Sequence, residues 1–259
     1  MDLKELQRNW EGLAQFDPLW SILTHGEKRP VKWDVKDFFE TGNHQVDALM
    51  DYLRNLGIEL SYDRALDFGC GIGRITKPQA RYFREVCGVD IAPTMIDWAR
   101  KNSMQEARCK YYLNETDNLQ LFPDATFDCV VSLITLQHIA PQYISNYISE
   151  FLRVLRPGGA LVFNLPTEYV PDGTSPVIRQ FNDVAKRIRT FVLDLSPKTL
   201  LRFYRGVRYG VPWGMEMHTM SQVKVSRFVE VNGGKIVDVQ RDQLGERFVS
   251  FTYYVVKRS

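Results

Sequence analysis

The chain has 259 residues, 44% hydrophobic and 25% charged, a balance that allows a sizeable buried core. Its formal net charge of +2 provides no global field that would argue for nucleic acid as a partner. Cys70, Cys87, Cys109 and Cys129 lack C-x-x-C spacing, and His25, His44, His138 and His218 are scattered, so a disulfide framework and a metal site are not expected. With no apolar run of about 18 residues and no signal-like start, the expectation is a soluble protein of a reducing, cytoplasmic compartment.

Residues 1 to about 60 read as a helical cap. "MDLKELQRNWEGL" is a charged amphipathic helix, and Val46, Leu49, Met50 and Leu53 recur at helical spacing in a helix predicted from Asn43 to Leu56, ended by Gly57. From about 61 to 166, apolar runs alternate with helical patterns. The runs are "RALDF", "EVCGVD", "CKYYLN", "FDCVVSLI" and "GALVFNL"; the helices span Gly73 to about Phe83, "APTMIDWARK", and about Gln142 to Leu155. Such alternation predicts an α/β fold with a mostly parallel sheet covered on both faces. Residues 167–220 interrupt the rhythm with an amphipathic helix carrying Val177, Phe181, Val184 and Ile188, then "SPKTLLRFYR", and read as a helical insertion. The sheet pattern resumes over 221–259 with a helix at about Ser221 to Val231 and the strands "KIVDVQ" and "FVSFTYYVV".

"ALDFGCGIGR" places Gly69, Gly71 and Gly73 directly after the first strand. A glycine turn between strand and helix exposes backbone N–H groups and lets a ligand approach closely. A dinucleotide site would read G-x-G-x-x-G and bind a pyrophosphate. Here Asp67 stands two residues before the first glycine, where it would repel a pyrophosphate and attract an ammonium. Asp90 ends the next strand, 17 residues after Gly73, where a carboxylate can accept hydrogen bonds from both ribose hydroxyls.

In order, "ALDFGCGIGRIT", "GVDIAPTMIDWAR", "LFPDATFDCVVSLITLQHI" and "FLRVLRPGGALVFNLP" resemble the class I S-adenosylmethionine-dependent methyltransferases, in particular their small-molecule branch. The resemblance covers about residues 60–166. It implies a Rossmann-like sheet of seven strands, and the short link between the final two strands makes the last one antiparallel. It further implies that Asp67 and the backbone of Gly69, Gly71 and Gly73 hold the methionyl end of S-adenosylmethionine, Asp90 the ribose, and Ile91 and Met95 the adenine. Arg74 is expected near the cofactor carboxylate or paired with an acid. Asn114 stands where many members have an aspartate that bonds the adenine amino group, with Glu115 beside it, and Ser132 and Leu133 should border the reacting centre.

Methyl transfer from a sulfonium is an in-line displacement on an activated carbon, so positioning and desolvation can supply most of the catalysis. An oxygen acceptor would also need a general base. His138 is the first candidate, followed by Glu168 in "NLPTE" and His218 in "WGMEMHTM". The insertion, with Arg179, Lys186, Arg187, Arg189, Lys198, Arg202, Arg205 and Arg208 against Asp183 and Asp194, is either a solvated amphipathic face or a site for a small acceptor bearing phosphate or carboxylate. No Asn-Pro-Pro-aromatic motif follows the fourth strand, which disfavours nucleic acid as acceptor. The alternatives are a catalytically silent S-adenosylmethionine-binding protein and a nucleotide-dependent oxidoreductase.

Overall fold

In β1 (Arg64–Phe68) successive side chains face opposite ways, Ala65 into one core layer and Leu66 and Phe68 into the other. The same division runs through β4 (Phe127–Ser132), where Cys129 and Val131 join Ala65, and Phe127 and Val130 join Leu66. Strands that are apolar on both faces need cover on both, and the computed structural model supplies it. It describes residues 2–23, 33–104, 106–169, 215–242 and 248–258.

Among the described residues, seven strands form one sheet in the order β3-β2-β1-β4-β5-β7-β6. β2 (Glu85–Asp90), β3 (Cys109–Leu113), β4 and β5 (Leu155–Tyr169) continue the parallel direction of β1. β7 (Phe248–Lys257) lies between β5 and β6 (Gly234–Asp242), antiparallel to both, as the short link predicted. β5 runs well past the "GALVFNL" run, so Glu168 pairs with Val249 inside the strand instead of opening a loop.

One face is covered by α6 (Pro141–Val154) and by α7 (Gln222–Val231), whose Val225 and Val229 are buried there. The other is covered by α3 (Val35–Asn55), whose Val46, Leu49, Met50 and Leu53 pack as the periodicity predicted. This helix begins earlier than Asn43: Asp34 caps it by accepting from the N–H groups of Lys36 and Asp37. Gly42 lies within it because a Cβ there would meet the Arg74 carbonyl oxygen at 2.1 Å, so the helix packs backbone to backbone against the turn after β1. The helix predicted from Gly73 contracts to α4 (Thr76–Gln79), whereas α5 (Pro93–Asn102) follows the prediction with proline in its first turn.

Two short helices precede this frame, α1 (Leu3–Phe16) and α2 (Pro18–Ile22), the second capped by Asp17. Glu11 of α1 accepts from the backbone N–H of Thr94 at 2.9 Å and from its hydroxyl at 2.6 Å, which supplies α5 with the N-terminal acceptor it lacks internally. The pair fixes α1 over the carboxyl edge of β2. The insertion helices and their basic residues, Arg179 to Arg208, lie outside the described residues, as does His25.

Candidate functional site

Where β1, β2 and β4 end, their following turns leave a cleft of about 920 Å3, open mouth included. Ten of the residues singled out from sequence line it: Asp67, Gly69, Gly71, Arg74, Asp90, Ile91, Met95, Asn114, Leu133 and His138.

Asp67, buried one residue before the end of β1, accepts from the Thr76 hydroxyl at 2.6 Å. Burial pushes its carboxyl up to about 6, with Thr76 and Arg74 opposing the shift. Arg74 is itself buried, which lowers its guanidinium to about 10 while Asp67 supports the charge. Its Nη1 donates to Thr41 Oγ1 at 3.3 Å, and its buried Nε has no partner. An acid and a base thus face one cleft, each desolvated and neither saturated with hydrogen bonds.

Asp90 ends β2 and holds the glycine turn directly. One carboxylate oxygen accepts from the Gly71 N–H at 2.9 Å and the other from the Ala92 N–H at 2.9 Å. Burial raises this carboxyl and the backbone N–H groups pull it back, with a net rise. A carboxylate has about four lone-pair positions, so two are free for a ligand.

The glycines themselves are shaped by protein neighbours. Gly69, at φ +76°, would put a Cβ 2.2 Å from Thr135 Oγ1, and Gly71, at φ +51°, would put one 2.6 Å from Ile22 Cδ1. The third, Gly73, borders no part of the cleft; its missing Cβ is replaced by the Tyr111 hydroxyl at 2.5 Å. Of the three glycines expected to hold the ligand, Gly69 and Gly71 line the cleft and Gly73 lies behind them. The turn is glycine-rich because three side chains from elsewhere occupy the space.

Beyond β4, Ile134 takes φ +59°, an unusual backbone for a β-branched residue. Its N–H donates to Asn164 Oδ1 at 2.7 Å, so a buried side chain of β5 holds the strained turn that carries Leu133, Ile134 and Thr135 into the cleft. Ser132 is fully buried, its hydroxyl without a partner, and it does not reach the cleft wall.

The three candidate bases part company. His138 lines the cleft, but burial lowers its imidazole to about 4, and both ring nitrogens are engaged: Nδ1 with the Glu216 carbonyl at 2.9 Å and Nε2 with Gln137 Nε2 at 3.2 Å. Glu168 lies on an exposed part of β5, away from the cleft lining, and His218 pairs with Glu216 at 3.5 Å, also outside it. Asn114 reaches the cleft, yet its amide donates to the carbonyls of Thr116 and Asn118 and its oxygen accepts from the Thr116 hydroxyl. One lone pair of that oxygen is left. Glu115 is exposed and bonds Gln7 of α1 at 2.5 Å.

The sequence leads one to expect the N-terminal helices over the carboxyl edge of the sheet but singles out none of the residues they contribute to the wall, Leu6 and Trp10 of α1 and Ser21 and Ile22 of α2. The signal was the apolar face of α1, which periodicity marks as buried without saying against what. Tyr147 of α6 was also missed; it enters the wall while its hydroxyl donates to the Thr116 carbonyl at 2.7 Å.

Comparison with known proteins agrees with this architecture. Residues 66–163 match the family described as "Methyltransferase domain". Over 115 residues the chain is 35% identical to a demethylmenaquinone methyltransferase of Tropheryma whipplei, covering 42% of this chain and 45% of that protein. Over 140 residues it is 29% identical to a ubiquinone biosynthesis O-methyltransferase of Cereibacter sphaeroides, covering 53% and 55%. The chain spans about half the length of these curated relatives. Among solved structures, the magnesium protoporphyrin IX methyltransferase of Synechocystis PCC 6803, bound to SAH, superposes with a TM-score of 0.63 at 17% identity over 100% of both chains. That likeness concerns the fold. Residues 66–163 are a methyltransferase domain.

Proposed function

We propose that the protein transfers a methyl group from S-adenosylmethionine to a small-molecule acceptor. The observation that carries this reading is that Asp67 and Asp90 stand near the ends of adjacent parallel strands and line one cleft together with the glycine turn. The cofactor's groups match the donors and acceptors present. Asp67 holds the ammonium, the unpartnered Nε–H of Arg74 faces the carboxylate, and the free lone pairs of Asp90 accept from the ribose hydroxyls. Ile91 and Met95 lie against the adenine, and the remaining lone pair of Asn114 takes its amino group. Gly73 supports the turn from outside.

When bound, the cofactor supplies a methyl carbon already activated by a sulfonium. The chain's own part is to orient and to exclude water. The Ile134 N–H bond to Asn164 holds the turn that carries Leu133 and Thr135, and Trp10 and Ile22 wall the cleft from the cap. The basic insertion outside the described residues would recognise an acceptor that bears phosphate or carboxylate. No helix among the described residues is long and apolar enough to cross a membrane, and the four free thiols support a reducing, cytoplasmic setting.

Calorimetry with S-adenosylhomocysteine and with NADH tests the cofactor assignment. Binding of the first at micromolar concentration and none of the second is expected; the reverse would overturn it. Turnover is then sought with acceptors taken from the relatives' names, a demethylmenaquinone and a ubiquinone precursor, each followed by the mass gain of one methyl group.

A further inference from the structure

His138 sits at the cleft wall in a turn held by two bonds from one short segment. Its Nδ1 faces the Glu216 carbonyl at 2.9 Å, and one residue earlier the Gln137 carbonyl accepts from the His218 N–H at 2.7 Å. A carbonyl can only accept, so Nδ1 carries the proton and Nε2 is the acceptor, which fixes the Gln137 amide with its NH2 toward the ring. The Gln137 oxygen is consequently left buried without a partner. Trp10 of α1 packs edge-on against the imidazole, with ring centroids 5.1 Å apart. Segment 215–220 is tied down again where the Met220 N–H donates to the Pro166 carbonyl at 2.9 Å, beside the end of β5.

To take a proton from an acceptor, Nε2 would have to release the Gln137 N–H. The protonated ring would then present N–H to an amide NH2 until Gln137 turned over. The charged and titratable neighbours are Glu216 and His218, 3.5 Å from each other, and both belong to the fastened segment; α1 presents the neutral indole of Trp10. None of them stands ready to receive a relayed proton through His138, whose second nitrogen already donates to a carbonyl.

We propose that His138 is a positioning residue for acceptor binding: it fastens segment 215–220, where the chain returns from the insertion, to the turn that forms one wall of the cleft. The role rests on the methyltransferase reading only for its kinetic consequence. Acceptor specificity is then set by how firmly this return is held against residues 133–139, and the reacting nucleophile loses its proton elsewhere or carries none.

Two variants separate the possibilities. His138→Ala removes the link to Glu216, whereas His138→Asn keeps an N–H that can reach the same carbonyl. Hydrogen exchange on the cofactor-free protein should show the His218 amide exchanging about tenfold faster in His138→Ala and within about threefold of wild type in His138→Asn. With an acceptor from the screen, His138→Ala should raise acceptor KM about tenfold with kcat within about threefold, and the kcat profile between about pH 6 and 9 should keep its shape. Unchanged exchange at His218 in His138→Ala overturns the proposal. So does a kcat loss of about 100-fold or more in both variants with disappearance of an acidic limb, which would make His138 the base. Absence of turnover with every acceptor counts against the methyltransferase reading, and the exchange result still decides the fastening.

Discussion

Replacing Asp90 with alanine perturbs two things whose sizes the geometry separates. Inside the protein, the N–H groups of Gly71 and Ala92, each at 2.9 Å from a carboxylate oxygen, lose their acceptor. They border an open cleft where water can replace it, so the cost is about 0.5–1.5 kcal/mol for each bond, or about 1–3 kcal/mol together. Toward the cofactor, two charge-assisted bonds from the ribose hydroxyls vanish; at about 1.5 kcal/mol each they amount to about 3 kcal/mol, roughly 100-fold in Kd. Calorimetry with S-adenosylhomocysteine measures the second quantity and urea unfolding the first. Asp90→Asn provides the control, since it keeps one carbonyl acceptor and should lose roughly half of each energy. An alanine variant that is folded and binds S-adenosylhomocysteine within about threefold of wild type would refute the ribose assignment.

Asp67 gives a pH signature. Its carboxyl, pushed up to about 6 by burial, must be ionised to hold an ammonium, so affinity for S-adenosylhomocysteine should be full above that pH and fall about tenfold per unit below it. Asp67→Asn should remove the break; a wild-type Kd that is flat from about pH 5 to 7 would contradict the assignment. In the unliganded protein the sign is opposite: the folded state keeps this proton longer than the unfolded chain, so the group's contribution to stability declines as pH rises toward about 6. Gly69→Ala combines a positive φ, which costs about 1–2 kcal/mol, with a Cβ driven into Thr135, and should lower the urea midpoint and weaken S-adenosylhomocysteine binding together. At the opposite edge of the sheet, Asp128 accepts from the Ser61 hydroxyl, from the N–H groups of Asp63 and Arg64, and from Arg156. Burial alone would raise its carboxyl, but those donors hold it below the usual range, so its stabilisation is present at neutral pH and lost as pH falls through that lowered value. Asp128→Ala should cost about 3–5 kcal/mol in urea unfolding because it strands several donors, and leave cofactor Kd unchanged in the protein that remains folded.

How much of this was legible beforehand depended on the range of the interaction. Alternating strands and helices, the acid at the end of each of the first two strands, and the turn between them are local patterns, and strand ends must converge on one sheet edge once the strands are parallel. Asp67 and Asp90 therefore reached the cleft as read. Glu168 did not, because a residue near the end of a strand run can as well be inside a longer strand, and β5 continues to Tyr169 through its pairing with β7, about 80 residues away in sequence; His218, in the irregular segment before α7, also lies outside the cleft lining. Asn114 was placed correctly, but the closure of its own loop, through Thr116 and Asn118, occupies most of its hydrogen-bonding capacity.

The sequence by itself determined the sheet, the sense of its last strand, the acidic strand ends and the glycine turn, since each follows from periodicity, link length or backbone freedom within a few tens of residues. Only the tertiary structure decided why those glycines are glycines and what His138 does. The side chains that fill the space at Gly69, Gly71 and Gly73 come from Thr135, Ile22 and Tyr111, and the carbonyl that fixes the His138 tautomer comes from Glu216, 78 residues on. A missing Cβ and a ring nitrogen are single-residue features, but what meets each of them is a neighbour in space. That neighbour is set by how the sheet brings distant turns to one edge.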